Sequence, residues 1–246
     1  MLYVVGTPIG NLSDITLRAL EILKKVDSIV CEDTRETLKL LKHYGIEKPL
    51  FSFFREKEKE RVTGLIRMLK AGKTLALVCD RGTPGISDPA YLLVRAAREA
   101  GIPVSPIPGP SSLTAALSVS GLPADSVAFY GFLPRKIGKK KRLFEKLKNY
   151  EETLVFFESV HRLQQTMQLL QEIFGNREVT LCRELTKKFE EIQTGQSTDI
   201  ANWLQKEKVR GEFVILVRGK PKTETRNRFS NLPREKQSGG SLLTSA

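Results

Sequence analysis

The chain has 246 residues, 40% of them apolar, which is typical of a globular protein with one large or two small domains. No apolar run reaches the roughly 20 residues of a membrane-spanning helix, which argues against an integral membrane protein. The net charge of +12 at pH 7 favours an anionic partner such as nucleic acid over a merely solvated basic surface.

Strands and helices alternate along the first half of the chain. Apolar runs at residues 2–5, 27–31, 50–54, 74–79 and 103–107 predict five strands. Periodic segments between them predict helices, the first of which can be capped by Ser13 or Asp14. This alternation predicts a largely parallel α/β sheet.

Three of these strands are followed by loops rich in glycine and proline, at residues 6–11, 80–89 and 108–112. The central loop carries Asp80 at a strand end, with Gly82 and Gly85 able to take positive φ and Ser87 or Asp88 able to cap the next helix. The carboxyl ends of parallel strands meet at one edge of a sheet, so the three loops predict a ligand cleft there.

The second half repeats the alternation and begins with a basic run. Strands are predicted at 127–132, 153–157, 179–182, 190–194 and 212–217, with helices up to residue 150 and at 160–174 and 200–204. The cations at the start of this half indicate contact with nucleic-acid phosphates; they are Arg135, Lys136, Lys139, Lys140, Lys141 and Arg142.

Changes in amino-acid composition along the chain predict an N-terminal α/β domain at 1–121 and a C-terminal α/β domain at 122–219. They also predict a basic tail at 220–246 that is largely disordered. Cys31, Cys79 and Cys182 are scattered and lack metal-ligand spacing, which predicts core thiols in a reducing cytoplasm and no metal site.

Polar clusters follow three predicted strands, at residues 32–35, 158–162 and 183–188. Each can hold a substrate hydroxyl or form an internal ion pair, and residue types alone leave both open. The Gly-x-Gly-x-x-Gly and Gly-x-x-x-x-Gly-Lys phosphate loops are absent. These patterns predict a two-domain α/β protein with a cleft and a basic flank, but they do not identify the reaction that it catalyses.

Eight short motifs in a fixed order resemble the tetrapyrrole methylase-like superfamily, and within it the methyltransferases that modify the cytidine ribose of 16S rRNA. They lie at residues 5–12, 32–35, 80–89, 108–112, 131–134, 158–162, 183–187 and 211–213. The resemblance runs from residue 2 to about residue 218. It implies two domains, each a sheet flanked by helices, with the cofactor S-adenosylmethionine in a cleft between them.

The resemblance also implies a reaction and a set of residues. The reaction is 2′-O-methylation of a cytidine in the decoding region of 16S rRNA, on the small ribosomal subunit, by a homodimer that is not bound to membranes. The positions expected at the cofactor are Pro8, Asp80, Gly82, Thr83, Ile86, Ser111, Ser112, Glu158 and Gly195. A ribose hydroxyl must lose its proton during transfer, and the catalytic candidates are Glu32, Asp33, Glu158, Arg183 and Lys187.

Two alternatives remain at this point. One is a methyltransferase of the same fold that acts on a small porphyrin-like molecule, although the basic flank is superfluous for such a substrate. The other is a non-catalytic RNA-binding protein of ribosome assembly, in which Arg81 blocks the cofactor.

Overall fold

The computed structural model describes residues 1–53, 58–206 and 209–221. The first half contains β1 (Leu2–Val5), α1 (Leu17–Lys25), β2 (Ser28–Cys31), α2 (Thr34–His43), β3 (Leu50–Ser52), α3 (Glu58–Lys70), β4 (Leu75–Leu77), α4 (Tyr91–Glu99), β5 (Val104–Ile107) and α5 (Ser112–Ser120). The second half contains β6 (Val127–Phe132), α6 (Ile137–Leu147), β7 (Thr153–Ser159), α7 (Val160–Phe174), β8 (Glu178–Arg183), β9 (Glu191–Gln196), α8 (Ser197–Lys206) and β10 (Glu212–Val217). Most of the predicted tail, from residue 222 onward, lies outside the described residues.

The first sheet is parallel throughout, as predicted, with the strand order β3-β2-β4-β1-β5. One apolar cluster, which includes Ala19, Leu23 and Leu41, packs α1 and α2 on one side of it. A second cluster, which includes Leu65 and Leu93, packs α3 and α4 on the other. Because all five strands run the same way, their carboxyl ends meet at one edge of the sheet.

The second sheet has the order β6-β7-β10-β8-β9 and is mostly antiparallel. Only β6 and β7 run parallel, while β10 pairs antiparallel with both β7 and β8. The strand β10 therefore inserts between two strands that α7 connects. Strand–helix alternation does not reveal this insertion, because it depends on pairing between segments distant in sequence.

Two caps differ from the prediction. Thr16, not Ser13 or Asp14, caps α1, since its hydroxyl accepts from the Ala19 amide at 3.1 Å while Asp14 lies in a preceding 3-10 turn. Neither Ser87 nor Asp88 stands at the N-cap of α4. Asp88 instead accepts hydrogen bonds from the amides of Gly85 and Ala90, at 2.9 and 2.7 Å, and so fixes the loop before the helix.

The three cysteines are free and buried, which confirms the prediction of core thiols. Burial raises the pKa of the Cys79 and Cys182 thiols to about 12. Both remain protonated at neutral pH and serve as small apolar side chains.

A buried ionic network ties α6 and α7 to β7. The Lys140 ammonium, on a side chain only 1% exposed, donates to Glu158 at 2.7 Å and to the Thr166 hydroxyl at 2.5 Å. Thr166 donates to the same carboxylate at 2.8 Å, and the Arg162 guanidinium lies 2.6 Å from its other oxygen. Two buried charges can be retained here only because each has several partners.

Removal of one member should be costly. We expect Lys140→Met to lower the free energy of unfolding by about 3 kcal/mol, near the low end for a broken buried pair because Arg162 still faces Glu158. The neighbouring Lys141→Met is the control: its ion pair with Glu172 is exposed, so we expect a loss of at most about 1 kcal/mol. Urea denaturation of both variants measures the difference, and equal losses would contradict it.

Candidate active site

A cleft of about 700 Å³ opens at the carboxyl edge of the first sheet, against the second sheet. The first half contributes the ends of β1, β2 and β4 and the loop at residues 80–88. The second half contributes the ends of β6, β7 and β8 and the start of β10. Its size suits one nucleoside-sized ligand with part of a second molecule.

The loops after β1, β4 and β5 are held together by their backbones. Thr7 and Gly82 exchange amide hydrogen bonds at 2.8 and 3.1 Å, and the Thr7 hydroxyl donates to the Cys79 carbonyl. Gly82 has φ +85°, a conformation that favours glycine. A Cβ atom on Gly109 would lie 2.8 Å from the carbonyl oxygen of Gly6, so the loops after β1 and β5 approach more closely than side chains allow.

The loop after β1 also reaches the second half of the chain. The Asn11 amide donates to the Thr186 hydroxyl at 3.2 Å, and Gly10 packs against the aliphatic stem of Lys187. Behind the cleft, the loops of the two halves are thus in direct contact.

The residues of the cleft fit the chemistry of S-adenosylmethionine. Asp80 and Asp88 supply carboxylates that can accept from hydroxyl and amino groups, while Ile86 and Phe157 supply apolar surface.

The predicted cofactor residues divide into three groups. Four line the cleft: Asp80, Ile86, Ser112 and Glu158. Four others lie in the loops behind the cleft: Pro8, Gly82, Thr83 and Ser111. The Thr83 hydroxyl donates to the Pro110 carbonyl at 3.2 Å, and Ser111 is the N-cap of α5.

Gly195 is the exception. It lies on β9 opposite Val179, whereas Arg183, at the cleft end of β8, pairs with Glu191. Gly195 is therefore near the far end of the hairpin and does not line this cleft, so its contact with the cofactor stays a prediction. The motif match that suggested it carried no information about the direction of β9.

The acidic pair after β2 separates into two roles. Asp33 caps α2 and accepts a hydrogen bond from the Arg35 amide at 2.8 Å. The Arg35 guanidinium also forms a hydrogen-bonded ion pair with Asp33 and lowers the pKa of the Asp33 carboxyl to about 2. Such a carboxylate is a poor proton acceptor, and it does not line the cleft. Its neighbour Glu32 does line the cleft. Behind them, burial raises the pKa of the Asp80 carboxyl, which accepts from the Asp33 amide at 2.9 Å.

Lys187 is the second catalytic candidate in the cleft wall. Its ammonium lies 2.9 Å from Glu184 and 3.0 Å from Glu212. Glu212 also forms an ion pair with Arg81 of the first half, so these four side chains bridge the two sides of the cleft. Arg81 points to Glu212 rather than filling the cleft, which removes the basis for a blocked cofactor site.

The other two catalytic candidates, Glu158 and Arg183, already form hydrogen bonds and ion pairs within the protein. The Glu158 carboxylate is saturated by the buried network and by the Ser159 amide. Arg183 donates to the Arg210 carbonyl at 2.8 Å and pairs with Glu191 at 3.1 Å, away from the cleft wall.

The predicted RNA contacts also divide. Lys140 is buried, so its expected contact with phosphate was wrong: its ammonium is held by Glu158 and Thr166. Lys141 is paired with Glu172, and Arg142 donates to the Gly138 carbonyl within its own helix. Exposed cations that form no ion pair with any described residue remain at Arg135, Lys136 and Lys139.

Sequence reasoning missed several cleft residues, chiefly Phe132, Phe157, Glu184 and Glu212. Phe132 and Glu212 lie within the motifs quoted above; Phe132 is the last residue of β6, and Glu212 is the first of β10. Their positions at strand ends were the available signal. Among residues 1–53, 58–206 and 209–221, no group of His, Cys, Asp and Glu is arranged to hold a metal ion, and no helix is long and apolar enough to cross a membrane.

Comparison with known sequences gives matches over most of the chain. The family described as Tetrapyrrole (Corrin/Porphyrin) Methylases matches residues 1–201. Proteins named Ribosomal RNA small subunit methyltransferase I are similar as well. The one from Thermotoga maritima is 47% identical over 89% of this chain and 98% of its own length, and the one from Haemophilus influenzae is 44% identical over 94% and 82%.

Solved structures share the fold at lower identity. Uroporphyrin III C-methyltransferase from Thermus thermophilus superposes with a TM-score of 0.62 and 22% identity, covering 88% of this chain and 96% of that one. Diphthine synthase gives a TM-score of 0.67 and 16% identity over 89% and 90%. These similarities confirm the predicted two-sheet α/β architecture.

The glycine contact in the loops behind the cleft generates a prediction. We expect Gly109→Ala to lower the affinity for S-adenosylmethionine at least about tenfold and to lower the melting temperature, because the added methyl group collides with the backbone of Gly6 and displaces these loops. Gly64→Ala is the control: it lies in α3 with open space around it, so we expect unchanged affinity and a small gain in stability. Calorimetric titration and thermal melting measure both quantities, and unchanged binding by Gly109→Ala would contradict a cofactor site that depends on these loops.

Proposed function

We propose that this chain, which belongs to the tetrapyrrole (corrin/porphyrin) methylase family, transfers a methyl group from S-adenosylmethionine to the RNA of the small ribosomal subunit. The observation that carries the proposal is the cleft between the two sheets, walled by acidic and apolar side chains from both halves of the chain. The names of relatives about 45% identical over most of the chain support the substrate.

The finer proposal is that the acceptor is the 2′-hydroxyl of a cytidine in the decoding region of 16S rRNA. Bound S-adenosylmethionine supplies a methyl group on a positively charged sulfur, which leaves as a neutral thioether. The chain must bring the hydroxyl oxygen to about 3 Å from that carbon and accept its proton.

Glu32 is our candidate for the proton acceptor. It is a carboxylate in the cleft wall, whereas Asp33 is committed to capping α2 and Glu158 to the buried network. Lys187 lies in the opposite wall, where its ammonium can hold the ribose or an adjoining phosphate oxygen in place. As the proton leaves, a C–O bond forms and the bond from carbon to sulfur breaks.

A substrate as large as RNA fits the surface beside the cleft. Arg135, Lys136 and Lys139 follow directly after β6, whose last residue lines the cleft. A small porphyrin-like substrate would make no use of these cations, and the family fold alone does not choose between the two substrates. We also propose a homodimer acting in the cytoplasm, in line with the sequence resemblance.

The assay of substrate is direct. Small ribosomal subunits that lack the modification are incubated with S-adenosylmethionine carrying a labelled methyl group, and the labelled nucleotide is mapped. We expect a single 2′-O-methylated cytidine in the decoding region. Absence of label from RNA, with S-adenosylmethionine bound, would reject the proposed substrate.

The two cleft residues should affect the rate rather than the fold. We expect Glu32→Gln and Lys187→Met each to lower the single-turnover rate at least about tenfold, with nearly unchanged cofactor affinity, because each removes a group near the reacting hydroxyl. Asp33→Ala is the matched control: loss of the α2 cap should cost about 1 kcal/mol of stability and leave the rate near normal. If the first two variants melt early but react at the normal rate, these residues are structural.

The exposed cations should set the salt dependence of RNA binding. Replacing Arg135, Lys136 and Lys139 by Gln should reduce the slope of log affinity against log salt by about 2, since each phosphate contact contributes roughly 0.7 for single strands. Cofactor affinity should not change. An unaltered slope in filter-binding measurements across a salt series would show that these cations are only solvated.

A further inference from the structure

Phe132 is unusually exposed for an aromatic side chain in a sheet. It is 62% exposed, although it ends β6 and lines the cleft. Large apolar side chains at the rim of a binding cleft are more often part of the recognition surface than accidents of folding. The residue has no part in the mechanism described above.

A β-bulge turns this ring toward the cleft. Phe129 pairs with Val155 and Phe132 with Phe157, so three residues of β6 advance against two of β7. Gly131 takes φ +61° within this irregularity. If the same sequence paired regularly, Gly131 would lie opposite Phe157, and Phe132 would share the face of Tyr130, which packs into the core beside Phe156.

The ring is held firmly on one side and open on the other. Its centroid lies 5.4 Å from that of Phe157 in an edge-to-face arrangement, and Phe157 makes a similar contact with Phe129 at 5.0 Å. Such contacts fix the orientation of a ring without covering it. The result is a rigid aromatic surface, already ordered, at the rim of the cleft.

Unpaired cations follow the ring immediately in the chain. Arg135, Lys136 and Lys139 are exposed, and none forms an ion pair with a residue of the described segments. An exposed aromatic ring beside several cations is the usual arrangement of proteins that bind single-stranded RNA: bases stack on the ring while the cations contact the phosphates.

We propose that Phe132 is a stacking platform for a nucleobase of the RNA strand whose ribose enters the cleft. This inference rests on the proposed RNA substrate and assigns a binding residue for it. A ribose hydroxyl can reach the interior of a cleft only if its nucleotide leaves the base stack. Stacking on Phe132 compensates for that loss and holds the strand with its backbone toward the cations.

Three variants test the proposal on the intact chain. Phe132→Leu removes the ring but keeps apolar bulk, and Phe132→Trp keeps an aromatic surface. Phe189→Leu is the matched control, because Phe189 is 66% exposed and does not line the cleft. For each variant we would measure methylation of unmodified small subunits, affinity for a short single-stranded RNA spanning the labelled nucleotide, affinity for S-adenosylmethionine, and the melting temperature.

We expect Phe132→Leu to weaken RNA binding on the order of tenfold, as for other stacked bases, with cofactor affinity and melting temperature unchanged. Phe132→Trp should restore binding, and its added indole fluorescence should be quenched on titration with the RNA, relative to the same titration of the wild-type chain. Phe189→Leu should behave as the wild type.

Normal RNA affinity and methylation by Phe132→Leu would overturn the proposal while leaving the proposed function intact. Equal losses in Phe132→Leu and Phe189→Leu would also overturn it, because position at the cleft would then be irrelevant. A change in oligomeric state with unchanged RNA affinity would assign the ring to a protein interface instead. If the wild-type chain itself fails to methylate small subunits, it is the proposed function that fails.

Discussion

An apolar seam between the two sheets determines where the cleft lies. Ile9, Ala116 and Leu122 from the first half pack against Val155 and Leu216 of the second sheet. Each fully buried aliphatic side chain contributes roughly 1.5–3 kcal/mol, whereas an exposed ion pair such as Arg81 with Glu212 contributes at most about 1 kcal/mol. The seam therefore holds the halves together, and the ionic bridge across the cleft adds little to the free energy of their association.

The helix α5 gives this seam its geometry. It follows the last strand of the first sheet and lies within the predicted domain 1–121, yet it packs against β8, β9 and β10 of the second sheet. Its small residues, Ala115 and Ala116, allow a close approach, and the Thr180 hydroxyl donates to the Ser120 carbonyl at the end of the helix. The predicted domain boundary thus directly follows a helix that packs on the second sheet.

The sequence predicted those features of the fold that depend on residues close together in the chain. Apolar runs located the strands, and glycine and proline located the loops at 6–11, 80–89 and 108–112, because both signals depend on near neighbours. The resemblance supplied the fold, which the comparisons confirm. The insertion of β10 between β7 and β8 was not foreseeable in this way, and neither was the position of Gly195, since both depend on strand pairing across long separations.

The three consecutive lysines at 139–141 show the same limit on a smaller scale. As a run of identical residues they predicted one phosphate-binding surface, but the helix turns them to different environments. Lys140 lies four residues before Phe144 and seven before Leu147, which are the other buried residues of α6. That helical spacing was present in the sequence and indicated an inward-facing lysine. A buried lysine needs an anionic partner, and that partner, Glu158, was predicted as a catalytic group instead.

The bulge in β6 makes the inner surface of the cleft depend on a count of residues rather than on their identity. Beyond the bulge, side chains that would face the helices face the first sheet instead. One extra residue therefore decides which face of the sheet the side chains at the end of β6 occupy. A one-residue insertion between Gly131 and Phe132 would move Phe132 from opposite Phe157 to opposite Glu158 and turn its ring away from the cleft without altering any residue that lines it. Among related chains, the length of this segment is therefore a more informative property to compare than the chemical similarity of its residues.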